Sequence, residues 1–434
     1  MSLYNLFLQH PVICTDSRVC PSGSLFFALK GDNFNGNAFA LKALQNGCAY
    51  AIVDEMEYVI DERFILVDNV LKTLQELAAY HRRQLGTKLI GITGTNGKTT
   101  TKELIAAVLS RKYNVLYTEG NLNNHIGVPL TLLKLTAEHE IGVIEMGANH
   151  PGEIKALTEI VAPDYGIITN VGKAHLEGFG SFEGVKRTKA ELYDFIAKNG
   201  GKIFINADND FLTTMAKQSG LDEKALIKYG KQSDESGENL FVEGQVVNNL
   251  PALKMQCRTN AKSFEVQTHL VGGYNAENVL AAVTIGHYFQ ISDKEIIAGL
   301  ENYLPKNNRS QLVVSEKNTL IVDAYNANPS SMSVAIQNFA QIEAGKKLLI
   351  LGDMLELGEE SKSEHQNIIA LLQSLGLTEI LLVGAYFKSA ESDFRAFDNV
   401  DQLIEYLKDK PVENNWVLIK GSRGIKLEKT IASL

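Results

Sequence analysis

Long apolar runs are missing from this 434-residue chain. Nothing in it approaches the roughly 20 apolar residues that a bilayer-spanning helix needs, so no membrane insertion is expected. The first ten residues carry no basic stretch ahead of an apolar one. No secretory signal is therefore expected, and the cytoplasm is the expected compartment. Cysteine is scarce: Cys14, Cys20, Cys48 and Cys257 form no C-x-x-C pair and no metal-like spacing with histidine. Reduced, mostly buried thiols are the expectation. Positive charge is in deficit, with 42 Lys and Arg against 51 Asp and Glu and a net charge of −9. That balance argues against a nucleic-acid surface. It leaves room for an anionic small ligand, because a few lysines and backbone N–H groups at one loop can hold phosphate. Fixed-period repeats and low-complexity segments are absent as well.

The length calls for two or three domains. Residues 1–83 mix short apolar runs (50–53, 64–67) with turn-rich loops and close in a stretch with helical spacing over 70–85. Residues 84–303 alternate apolar runs (89–93, 141–144, 166–169, 203–205) with amphipathic stretches, the pattern of a buried parallel sheet whose strand ends bind ligands. Residues 228–271 break this rhythm and predict an antiparallel addition. Residues 304–434 begin after a polar hinge candidate at 305–309. Runs at 320–322, 348–351, 380–383 and 417–419 then predict a second, smaller parallel sheet. The fold class is therefore α/β.

The run 89–93 enters Gly94, Thr95, Asn96, Gly97, Lys98, Thr99 and Thr100, and a helical pattern follows. Glycines let the backbone wrap a triphosphate with its N–H groups inward, and a helix start adds positive potential. Lys98 can reach the terminal phosphates and the Thr99 hydroxyl can ligand Mg2+. The spacing G-x-x-G-K-T is shorter than the usual phosphate loop, so the flanking strand and helix carry the assignment. Glu145 follows the run 141–144 and points towards this loop, where it can hold a metal; a charge at a helix N-terminus or a solvated loop carboxylate is the competing reading. His175 lies just beyond the next strand. Lys189, on a probable helix, reads from its chemistry alone as a surface lysine.

These motifs, with Glu145-Met146-Gly147, the Asn170 to His175 segment and Lys189-Ala190-Glu191, resemble the Mur ligases, which build the peptide stem of bacterial peptidoglycan. Thr15-Asp16-Ser17-Arg18 and residues 25–39 are similar to that family's N-terminal domain, which binds the UDP-sugar. Residues 120–124, 323–329, 351–358 and 420–424 are similar to the member that adds D-alanyl-D-alanine. Tyr274 stands where the family often has His, His125 where Glu is common, and Asn35-Gly36-Asn37 where Asp-Gly-His is usual.

The resemblance implies a small α/β UDP-sugar domain (1–83), a central P-loop ATP-binding domain (84–303) and a C-terminal Rossmann-like ligase domain (304–434). It implies ATP and Mg2+ as cofactors, UDP-N-acetylmuramoyl-tripeptide and D-alanyl-D-alanine as substrates, and a monomer. Lys98, Lys189 and His175 are implied to be catalytic. Thr99 and Glu145 would hold one metal ion, and His175 and Lys189 a second. An ammonium has donors only, so the resemblance implies a carbamylated Lys189. It assigns Asn275 and Asn278 to adenine, Arg309 to the nucleotide phosphates and Asp323 to the ribose. Ser17, Arg18, Lys30, Asn123 and Asn124 are implied substrate contacts, and Tyr325, Asn326 and Asn328 the D-alanyl-D-alanine site. The rival readings are a relative adding lysine or diaminopimelate, a folylpolyglutamate synthase, and a non-catalytic nucleotide-binding regulator. The Asp-Asn-Pro-Arg tetrapeptide typical of the diaminopimelate enzyme does not occur.

Overall fold

Short runs rich in Val, Ile and Leu, stopped by glycine or polar residues, become strands, and three main sheets collect them. The computed structural model describes residues 2–231, 240–259, 262–306 and 308–434. The first sheet has four parallel strands in the order Ile13–Cys14, Leu25–Phe27, Tyr50–Val53, Phe64–Leu66. Helix Val70–Leu85 follows with the bounds its pattern predicts. The Asn69 side chain caps its start, and Gly86 in the left-handed region ends it. Leu74, Leu77 and Ala78 of this helix share one core with Leu25 and Phe27 of the first sheet and with Ile144 and Leu157 of the central unit. Near its end Arg82 donates to the carbonyls of Val161 and Ala162 and to Asp164, all within 3.0 Å, closing the last turn of helix Glu153–Val161. A shared core, not a free linker, ties the first sheet to the second.

The central sheet has nine strands. Seven are parallel, in the order Val115–Tyr117, Ile141–Glu145, Lys88–Thr93, Tyr165–Ile168, Lys202–Asn206, Leu226–Lys231, Val242–Asn248. Among the described residues, Lys254–Arg258 and Ser263–Gln267 extend the sheet through two antiparallel pairings. The antiparallel stretch therefore starts later than the pattern over 228–271 predicts. Polar alternation reports an exposed face and says nothing of strand direction.

In the third sheet, Thr319–Asp323, Trp416–Lys420, Lys347–Gly352, Ile380–Val383 and Arg395–Phe397 run parallel, and Gln311–Val314 adds an antiparallel edge that the purely parallel expectation omits. Apolar cores fill both faces. The expected polar hinge is partly enclosed: Pro305 is buried and Arg309 half-buried. The fold is α/β with three sheet-centred domains. Among the described residues no helix is long and apolar enough to cross a membrane.

Candidate active site

Strands of the central and third sheets end at one shared cavity of about 970 Å³. The loop after Lys88–Thr93 forms its floor. Gly94 sits at φ 141°, and a Cβ there would lie 2.1 Å from the Thr169 hydroxyl. Only glycine lets the loop pass so close to the neighbouring strand. Gly97, at φ 77°, opens helix Lys98–Leu109 with no side chain capping it, and this uncapped helix start, Gly97 to Thr100, lines the cavity. Asn170 braces the loop: its Oδ1 accepts from the Asn96 N–H at 2.9 Å, and its carbonyl accepts from the Thr95 N–H at 3.0 Å.

Lys98 folds back over this loop, donating to the carbonyls of Gly94 and Thr95 at 2.9 Å. Burial pulls its pKa below the usual lysine range; Glu145 opposes the shift and the Arg309 charge adds to it. Thr99 and Glu145 meet as expected: the Thr99 hydroxyl donates to the two carboxylate oxygens at 3.0 and 3.2 Å, and Asn123 Nδ2 donates to one of them at 2.8 Å. Glu145 is the last strand residue and only 1% exposed, so the solvated-loop reading fails.

His175 adopts φ 49° at the start of helix Leu176–Phe179, and its Nδ1 lies 2.5 Å from Glu356 of the third unit. That hydrogen bond holds the Glu356 carboxyl below its ordinary pKa. Lys189 is no surface lysine: it is 2% exposed, with its ammonium 5.3 Å from the Phe179 ring centre. The same ring meets His175 edge to face, ring centres 6.3 Å apart. Burial, with the Lys98 charge adding to it, pushes Lys189 down to about 7. Two residues on, the Glu191 carboxylate accepts from the N–H groups of Gly152 and Lys155, which fixes this helix against Glu153–Val161.

The third unit supplies the roof. The Arg309 guanidinium stacks 3.5 Å from the Tyr325 ring centre, and its Nε is buried without a partner among the described residues. Asp323 is paired with Lys420 at 2.6 Å. Asn328 reaches the Asn96 side chain at 2.7 Å. Asn326, Asn124 and Thr100 also line the cavity. Asn275 and Asn278 line it too, with their amides engaged inwardly: Asn278 accepts from Thr101 and donates to Asn275, which donates to the Val271 carbonyl.

Ser17, Arg18 and Lys30 lie on the first unit and outside the cavity lining. Arg18 is held by Asp16 in an exposed bidentate pair, which draws Asp16 down to about 2. Lys30 bridges Asp54 and Glu55 at 2.9 and 2.7 Å. Sequence reasoning missed Lys102, which is fully buried with its ammonium 3.5 Å from Glu145. Its position one turn after Lys98 was the available signal. The partners Glu356 and Lys420 lay inside quoted motifs, but their pairing with His175 and Asp323 is tertiary.

A family model described as Mur ligase middle domain matches residues 92–286, and one described as Mur ligase, glutamate ligase domain matches residues 308–423. The chain is similar to the UDP-N-acetylmuramoyl-tripeptide--D-alanyl-D-alanine ligase of Bacillus subtilis (strain 168), 34% identical over 443 residues covering 97% of this chain and 92% of that protein. Among solved structures it resembles MurF from Acinetobacter baumannii, with a TM-score of 0.85 at 34% identity over 97% of this chain and 92% of that one. It also resembles MurF ligase from Thermotoga maritima in complex with ADP, with a TM-score of 0.86 at 26% identity over 100% and 98% of the two chains.

Proposed function

This chain belongs to the Mur ligase family, and we propose how its site performs the family's chemistry. It is an ATP-dependent carbon–nitrogen ligase that joins D-alanyl-D-alanine to UDP-N-acetylmuramoyl-tripeptide in peptidoglycan precursor synthesis. The observation that carries the mechanism is the convergence of the glycine loop, Glu145, Arg309 and Asp323 on one cavity.

Joining a carboxylate to an amine in water is uphill, so the carboxylate must first be activated. A carboxylate oxygen of the tripeptide attacks the γ-phosphorus of ATP, and the bond to ADP breaks. The amine of D-alanyl-D-alanine attacks the acyl carbon of the resulting acyl phosphate and loses a proton. Phosphate leaves with the former carboxylate oxygen. The approach of the two anions at ~4 Å in a medium of effective dielectric ~20 costs roughly 4 kcal/mol, about a thousandfold in rate. Lys98 exchanges its two carbonyl acceptors for phosphate oxygens, and Arg309 meets the same charge from above. The open helix start adds fixed N–H donors.

Thr99 and Glu145 offer hard oxygens within hydrogen-bond distance of each other and fit Mg2+. An ion held there by Thr99 and Glu145 would supply divalent charge to offset that of the triphosphate. Lys102 keeps the Glu145 carboxylate from being an isolated buried anion. Lys189 as an ammonium fits no metal. A pKa near 7 leaves a large neutral fraction at physiological pH, and a neutral amine adds to CO2, losing one proton and gaining carboxylate-like oxygens. In that form Lys189, with His175, would hold the second cation.

Asn275 and Asn278 form the adenine wall, Asp323 takes the ribose, and Tyr325, Asn326 and Asn328 face D-alanyl-D-alanine. Asn123 and Asn124 flank the tripeptide, and Ser17, Arg18 and Lys30 the UDP-sugar. The divisions fall near residues 83 and 303, and the enzyme works as a cytoplasmic monomer.

A phosphate-release assay tests the reading. Release is expected only with ATP, the tripeptide nucleotide and D-alanyl-D-alanine together. Release with the dipeptide nucleotide and lysine or diaminopimelate instead would overturn it.

A further inference from the structure

Cys14 ends strand Ile13–Cys14, Cys20 lies in the loop before strand Leu25–Phe27, and Cys48 precedes strand Tyr50–Val53. Parallel pairing of these strands gathers the three thiols, although their spacing along the chain shows nothing of it. All three Sγ atoms lie within 4.8 Å of one another, and those of Cys14 and Cys20 are 3.8 Å apart. A tetrahedral ion with metal–sulfur bonds of about 2.3 Å sets its sulfurs roughly 3.8 Å apart. All three thiols are free; Cys14 and Cys48 are buried, and half-buried Cys20 is the route in. The Ser24 hydroxyl, 3.2 Å from Cys48 Sγ, offers a neutral fourth donor. Phe26, Ala28, Ala43 and Ala51 share one apolar cluster with Cys14 and Cys48.

We propose that Cys14, Cys20 and Cys48 form a binding site for a soft divalent cation of the zinc class, with the Ser24 hydroxyl or a water completing the tetrahedron. Binding replaces three S–H protons by one ion, so three protons are released and one net negative charge remains. Oxidative pairing is the weaker use of these thiols: burial raises all three above the ordinary thiol range, so an oxidant meets thiols and not thiolates. A thiophilic cation displaces the protons itself.

Loading has a consequence for the adjoining loop. The single S–H of Cys14 is within reach of the carbonyls of Asp16 and Val19, at 3.2 and 3.4 Å from its sulfur, and the Cys20 thiol lies 3.5 Å from that of Ser17. Thiolates cannot make these contacts, and the carbonyls turn away from the new negative charge. The segment that moves carries Ser17 and Arg18, so loading weakens UDP-sugar binding. This consequence, unlike the ion site, rests on the substrate role proposed for those two residues.

The test titrates the fully reduced protein with Cd2+ alone and needs no turnover, so its outcome is independent of the ligase reading. A thiolate-to-cadmium charge-transfer band should saturate at one ion per chain, and Zn2+ should displace it. Cys20→Ser should weaken binding by about tenfold or more, while Cys257→Ser should leave it unchanged. Cys20 is only half-buried, so its serine variant is the one expected to fold if Cys14→Ser does not. No saturable band, or a band undiminished in Cys20→Ser, overturns the site. With one equivalent of Zn2+, KM for the nucleotide sugar should rise severalfold at constant kcat; an unchanged KM overturns the coupling.

Discussion

Asn328 Nδ2 donates to Asn96 Oδ1 across 2.7 Å, which joins the third unit to the tip of the phosphate loop. The other end of the same amide accepts from the Ser331 N–H at 2.9 Å and caps helix Pro329–Ala340. Along the same seam Lys173 pairs with Glu364 at 2.7 Å and His175 with Glu356. The position of the loop is thereby coupled to the position of the third unit.

With D-alanyl-D-alanine saturating, so that the substrate role proposed for Asn328 is kept out of the readout, Asn328→Ser separates the cap from the contact with Asn96. Serine caps a helix nearly as well as asparagine, but its shorter side chain does not span to Asn96. Thermal stability should change little, while kcat/KM for ATP should fall by about 3- to 10-fold, the worth of one hydrogen bond. An unaltered kcat/KM would show that the bond does not order the loop.

Lys98→Ala removes the charge that meets the terminal phosphates. The circular dichroism spectrum should be retained, and kcat should fall by roughly 10²–10³-fold or more. Wild-type turnover in this variant would remove the loop from the mechanism.

Lys189→Ala should be inactive, and short carboxylates added to the assay should restore part of the rate by standing in for the carbamate. Bicarbonate depletion should slow the wild type and leave the residual rate of the variant unmoved. A fully active Lys189→Ala enzyme would dismiss the modification.

Stability should report the same lysine. Its folded pKa of about 7 lies below the ordinary 10.5, so between these values the unfolded chain holds more protons and stability rises with pH. Below about pH 7 the buried ammonium is charged and its penalty is complete. In CO2-free buffer Lys189→Met should therefore melt above the wild type near pH 6, with the gap closing towards pH 10. Equal gaps at both ends would show that Lys189 is not desolvated.

The parts of this molecule that were legible in its sequence are those set by local chemistry. Asn69 and Gly86 punctuate one helix, and the strand, glycines and helix around Lys98 lie within about twenty consecutive residues. Lys189 was legible only through its family motif. Its burial comes from Phe179 and the neighbouring helices, and helical spacing on its own puts a lysine in solvent. The pairing of His175 with Glu356, of Asp323 with Lys420 and of the three cysteines joins segments remote in sequence. The direction of strand Val242–Asn248 is likewise set by its sheet neighbours.

The most direct measurement follows oxygen through the reaction. With the terminal carboxylate of the tripeptide nucleotide labelled with oxygen-18, an acyl phosphate requires one labelled oxygen to leave in the released phosphate for each amide formed. Phosphate that carries no label, with amide formed at the normal rate, would contradict activation by the γ-phosphoryl group and with it the role given to the loop at Lys98.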